Sequence, residues 1–92
     1  MYYVYILKSL NTGEFYKRLT ADIEKRLKQH FSGQSKSTKY RLPLELVHVE
    51  ICKTRLEARK TEKFFKSGYG REIINEIWRG GGTGRRVRLK NV

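Results

Sequence analysis

The sequence predicts a single α/β domain, a small sheet of three strands flanked by helices. Three observations lead there. Two aromatic and β-branched stretches, residues 2–8 and 14–20, are separated by the turn-forming run Ser9-Leu10-Asn11-Thr12-Gly13, and a third such stretch fills residues 44–52. Amphipathic helical spacing occupies the segments between and after them. The chain has 92 residues, the length of one domain, and a chain this small buries only about 60–65% of its unfolded surface, too little for a second core.

Residues 2–8 place Val4 and Ile6 on one face and Tyr3, Tyr5 and Leu7 on the other, which reads as a strand buried on both sides. Residues 14–20 return as its hairpin partner, with Phe15, Lys17 and Leu19 on one face and Tyr16, Arg18 and Thr20 on the other. Two cations in so short a strand are unexpected. Thr20 is the expected N-cap of a helix reaching Phe31, with Asp22 and Glu24 in its first turn. Ile23, Leu27 and Phe31 form its buried stripe; Arg26 and His30 lie about 60° round from that stripe, at the margin of the core.

Residues 33–41 are polar and basic and read as a loop ended by Pro43. In the third strand, simple alternation puts Val47, Val49 and Ile51 on one face and Leu44, Leu46 and His48 on the other. Thr54 and Glu57 make a capping box for a helix through Lys66. Ser67-Gly68 reads as a glycine C-cap, and a shorter helix follows over residues 70–78. The run Gly80-Gly81-Gly82-Thr83-Gly84 then breaks structure. The expected organisation is a folded domain over residues 1–78 and a basic, Gly/Arg-rich disordered tail over 79–92.

Charge is the loudest compositional fact. Twenty-one Lys and Arg against nine Asp and Glu give +12. The tail holds five of those cations and no acid, so the preceding residues still set sixteen cations against all nine acids. Such a balance is the footprint of a polyanion binder, nucleic acid first. One cysteine, Cys52, excludes a disulfide framework and a cysteine metal cluster. No apolar run approaches the ~20 residues of a membrane helix, and Met1–Tyr5 lacks the basic region of a signal peptide, so a cytoplasmic protein without a membrane role is expected.

Among candidate chemical groups, Glu62 sits on the same helix side as Ala58 and Phe65. An acid there needs a partner or a task; pairing with Lys66 or Arg59 is the structural alternative. Tyr5 and Tyr16 lie on adjacent strands and can converge, or simply pack the sheet. His48 and Cys52 fit no metal-ligand spacing and read as structural.

Taken together, Val4-Tyr5-Ile6, Tyr16, Thr20-x-Asp22-x3-Arg26-x3-His30, Gly33, Ser37-Thr38-Lys39 and Glu57-Ala58-x3-Glu62-Lys63 resemble the GIY-YIG nuclease domain, especially its small single-domain bacterial members. Leu46-Val47-x-Val49-Glu50 and the run from Phe64 through Gly68 and Gly70 to Glu72 extend the resemblance over about residues 1–73. It implies a three-stranded antiparallel sheet flanked by helices, and hydrolysis of DNA phosphodiesters to a 5′-phosphate and a 3′-hydroxyl, on structured or damaged DNA rather than a fixed sequence, as in DNA repair.

The resemblance also implies site residues. Tyr5 and Tyr16 match the two motif tyrosines, Arg26 and His30 the helical Arg and the His one turn later, and Glu62 the acid that holds one divalent ion, Mg²⁺ or Mn²⁺. Arg18, Lys36, Lys39 and Arg41, with Arg85, Arg86 and Arg88 of the tail, are the expected contacts to the backbone of DNA, or alternatively RNA. Where the family motif reads Tyr-Ile-Gly this chain has Tyr16-Lys17-Arg18, and Phe31 replaces a common Asn. Arg18 therefore favours a rival reading: a catalytically impaired module of the same fold that binds nucleic acid electrostatically.

Overall fold

The computed structural model describes residues 1–36 and 38–79. Strands β1 (Tyr2–Ser9), β2 (Phe15–Thr20) and β3 (Leu44–Cys52) form one antiparallel sheet in the order β2-β1-β3. Helix α1 (Ile23–Phe31) follows the hairpin, a short 3₁₀ turn covers Lys39–Arg41, and α2 (Arg55–Lys66) and α3 (Gly68–Arg79) complete the described chain. The three-stranded antiparallel sheet flanked by helices is the fold expected. Residues 80–92, with Arg85, Arg86 and Arg88, lie outside the described residues.

The central strand is buried on both faces, as its composition requires. Val4 and Ile6 join Val47, Ala58, Phe65 and Ile74 in a core beneath α2 and α3. Tyr5 and Leu7 join Leu44 and Leu46 in a second core, against which Ile23, Leu27 and Phe31 of α1 pack. Among the described residues β2 and β3 are the edges of the sheet, with β2 beside both cores.

Several expectations are corrected in detail. β3 does not alternate simply: the register slips between Ile6 and Leu7, so Ile6 faces His48 while Leu7 faces Leu46. Val47 is the extra residue of this bulge. It packs under α2 while Val49 joins the α1 core, and Ile51 is exposed. The N-cap of α1 is Asp22, whose carboxylate accepts from the Lys25 amide at 3.1 Å. Thr20 is still paired with Tyr3 in the sheet, and its hydroxyl accepts from the Asp22 amide instead.

The capping box of α2 forms in part, Thr54 Oγ1 accepting from the Glu57 amide at 3.1 Å and Glu57 from the Lys53 amide at 3.2 Å. α2 ends without a left-handed glycine; Ser67 is extended, with φ −76°. Its hydroxyl donates to the Phe64 carbonyl and accepts from the Gly70 amide, closing one helix and opening the next. α3 therefore begins at Gly68 and is as long as α2. Gly70 is irreplaceable on steric grounds, since a Cβ there would lie 1.9 Å from the Phe64 carbonyl oxygen. The backbones of α2 and α3 touch at this point.

Candidate active site on the α1 face

The hairpin register brings the strand residues together. Tyr5 lies directly across from Arg18, and Leu7 across from Tyr16, so the two tyrosines are diagonal neighbours on one face. α1 lies over that face and delivers His30 one turn after Arg26. The Tyr5 hydroxyl and His30 Nε2 are 2.8 Å apart, and the Tyr16 ring stands edge-on to the imidazole at 5.3 Å.

The other side of the imidazole is closed by Thr38, whose Oγ1 lies 2.7 Å from His30 Nδ1. Ser9 explains how that loop is held: its hydroxyl donates to the Arg41 carbonyl at 2.6 Å, and the Leu10 amide donates to the Pro43 carbonyl at 2.9 Å. Tyr5, His30 and Thr38 are each fully buried. His30 thus sits inside the core, not at its margin, because three separate elements enclose it. Spacing along α1 alone carries no sign of Thr38, which is the site residue that sequence reasoning missed.

Burial and the neighbouring guanidiniums set the electrostatics. Burial first, then the positive charges of Arg26 and Arg18, lower the His30 pKa from 6.5 to about 4. Burial raises the Tyr5 phenol above its ordinary value, and the Arg26 guanidinium, reaching the same hydroxyl, pulls part of the way back. At neutral pH both groups are uncharged, a phenol facing a free imidazole.

Arg18 occupies the mouth. Its Nε donates to the Tyr16 hydroxyl at 3.1 Å, and its Cζ stands 5.4 Å from that ring. The bond to Tyr16 is the largest cause that raises the Arg18 pKa, and Glu62 and Tyr5 add smaller pulls. Arg41 is 6.0 Å from the same Tyr16 ring and pairs with Glu14 at 3.5 Å. Arg26 donates to Gln29 at 2.7 Å. Lys36 and Lys39 are exposed on the connecting segment.

Glu62 is carried by α2. Its side chain is only 14% exposed and accepts from Lys66 at 3.4 Å, the pairing weighed from its i,i+4 spacing. Among the described residues no group of three or more His, Cys, Asp and Glu converges on a metal position. A single sheltered carboxylate whose cationic partner is half-exposed and displaceable nevertheless suits Mg²⁺, which takes few carboxylates and keeps several waters. His48 is 3.5 Å from Glu50 and stacks edge-on to Phe65, and buried Cys52 meets Thr61.

Comparison with known proteins places the chain in a family. The family model of the GIY-YIG catalytic domain matches residues 1–75. A UPF0213 protein of Bacillus licheniformis is 42% identical over 66 residues, covering 71% of this chain and 67% of that protein. One from Haloquadratum walsbyi is 39% identical over 77 residues, covering 83% and 84%. The solution structure of a UPF0213 protein from Bacillus halodurans, 33% identical, superposes with a TM-score of 0.52 over 84% of this chain and 85% of that one. No helix among the described residues is long and apolar enough to cross a membrane. With the match spanning nearly all of the described domain, the chain belongs to the GIY-YIG catalytic domain family.

Proposed function

We propose that the protein is a metal-dependent endonuclease that hydrolyses DNA phosphodiester bonds in structured or damaged DNA. The observation that carries this reading is the buried Tyr5–His30 hydrogen bond of 2.8 Å, placed beside two guanidinium groups. In the Nδ1–H tautomer, Thr38 accepts from Nδ1 and Nε2 accepts from the Tyr5 hydroxyl. As water attacks phosphorus, the Tyr5 oxygen takes its proton while the phenolic proton passes to His30. Tyr16 orients the water, and Arg26 stabilises the charge that grows on the phosphate.

A phosphate seated among these guanidiniums also screens the charges that depress His30, so the base strengthens when substrate arrives. Glu62 would hold a divalent ion, which would polarise the scissile phosphate and stabilise the departing oxygen. Arg18, Arg41, Lys36 and Lys39 hold the backbone without reading sequence, and the tail adds affinity.

The test is nicking of supercoiled and branched DNA with Mg²⁺ or Mn²⁺. Wild type is expected to cleave, and Tyr5→Phe and Glu62→Ala to lose cleavage while keeping DNA affinity; Glu62→Ala is expected to melt near wild type, and Tyr5→Phe, which leaves the buried His30 Nε2 without its 2.8 Å partner, several degrees lower. The Glu62–Lys66 contact is long, at 3.4 Å, and its lysine is half-exposed, so it contributes at most about 1 kcal/mol to the fold. The second reading, a binding module without turnover, is favoured by Arg18, which engages the Tyr16 hydroxyl. Tight DNA binding with no nicking under any metal establishes it in place of the first.

A further inference from the structure

Edge strand β2 carries adjacent cations that alternate between the faces of the sheet. Arg18 lies across from Tyr5 on the α1 side, while Lys17 lies across from Ile6, on the side covered by α2 and α3. On that side its strand neighbours Phe15 and Leu19 pack into the core, so a lysine interrupts an apolar row. Lys17 is half-buried there.

The last turn of α2 and the first turn of α3 meet beside this strand and bring two more cations, Lys66 and Arg71. Burial lowers the Lys17 pKa, and the charges that add to this are Arg71 and then Lys66, both positive. Lys66 is half-exposed beyond its pairing with Glu62, and Arg71 is exposed. Two like charges beside one partly desolvated ammonium oppose folding. An arrangement of this kind is relieved by an anion, and its placement shows which. Glu62 precedes Lys66 by one helical turn on the same helix side, and its charge reaches Arg18 across the β2 edge. Arg18 thus lies on one side of the β2 edge and Lys17 on the other, where α2 and α3 cover the sheet and the charges of Arg71 and Lys66 reach it.

We infer that Lys17, Lys66 and Arg71 form a second phosphate-binding surface, which grips the sugar-phosphate backbone of the nucleic acid beyond the reacting phosphate after the strand has crossed the edge of β2. This inference rests on the nuclease reading for the identity of the ligand, and it assigns a contact to Lys17, which replaces the apolar residue of the family motif.

The experiment measures binding of a fluorescent DNA duplex in EDTA, by anisotropy, between 50 and 200 mM salt. Removing one cation that touches a phosphate lowers the log–log salt slope by about 0.9, so affinity falls about 3.5-fold less across that fourfold range of salt. Lys17→Ile and Arg71→Gln are each expected to show this decrease. Lys53→Gln, an exposed cation at the opposite end of α2, is expected to keep the wild-type slope. Lys17→Ile is also expected to melt at or above wild type, since it removes the repelled ammonium from an apolar row. Slopes equal to wild type in Lys17→Ile and Arg71→Gln, or an equal decrease in Lys53→Gln, overturn the inference. A wild type that binds but never nicks with metal removes the nuclease reading and leaves this surface standing; one that binds no duplex removes both.

Discussion

Lowering the pH should destabilise this protein through His30. The imidazole has a pKa of about 4 in the folded chain and about 6.5 when unfolded. Between those values the unfolded state binds more protons than the folded one, so stability rises with pH across that window. The contribution is intact above about pH 6.5, shrinks as pH falls, and is fully lost below about pH 4. The difference corresponds to about 3 kcal/mol, a large share of the 5–15 kcal/mol typical of a domain. Its main cause is enclosure by Tyr5, Tyr16 and Thr38, with Arg26 and Arg18 adding repulsion. Urea unfolding at pH 8, 6, 5 and 4 measures the loss. An imidazole NMR titration in a His48→Gln background reads His30 alone, as these are the two histidines of the chain. Adding inorganic phosphate or a short DNA duplex should move the His30 midpoint upward by screening the arginines. An imidazole that titrates near 6.5 in the free protein refutes the reasoning, and with it the neutral phenol–imidazole pair.

Thr38→Val keeps the shape but leaves the His30 Nδ1 buried without its 2.7 Å partner, which costs about 1–3 kcal/mol. The melting midpoint should drop by several degrees while Thr38→Ser melts near wild type. Arg18→Gly frees the Tyr16 hydroxyl and removes one of the charges that depress His30. It should raise the imidazole pKa, tighten Mn²⁺ binding at Glu62 measured by calorimetry, increase the cleavage rate and slightly weaken DNA affinity; lower activity than wild type marks Arg18 as a phosphate clamp. Deleting residues 80–92 removes Arg85, Arg86, Arg88 and Lys90. The salt slope for duplex DNA should fall by up to about 3.6 with an unchanged melting curve, and a truncated chain that unfolds shows the segment to be part of the domain.

Legibility in the sequence follows the range of the interactions involved. β1, the hairpin and α1 are readable because alternation and the Ile23, Leu27, Phe31 row are local signals of burial. The bulge at Val47 is not, since one inserted residue changes which face Val49 and Ile51 occupy without altering composition. Ser67 closes α2 with a side-chain hydroxyl rather than with Gly68, and an extended serine there has no signature beside a glycine. The direction of Arg26 and His30 follows from helix geometry. The complete burial of His30 depends on Thr38, eight residues away in a loop anchored by Ser9 from yet another element. Glu62 is legible as an acid in need of a partner, and the partner is the lysine one turn on.

The backbone contact at Gly70 has a mechanical consequence. Because the Phe64 carbonyl leaves no room for even a methyl group there, α2 and α3 cannot slide or pivot against each other at that point. They form one stiff angle-piece seated on the Val4–Ile6 face, whereas α1 is seated on the Tyr5–Leu7 face. Glu62, Lys66 and Arg71 therefore travel as a set. A small tilt of that angle-piece changes their spacing from Tyr5 and His30 while leaving every hydrogen bond around the imidazole intact. A nucleic-acid strand that touches both faces across β2 would then act as the wedge or the clasp that fixes the angle.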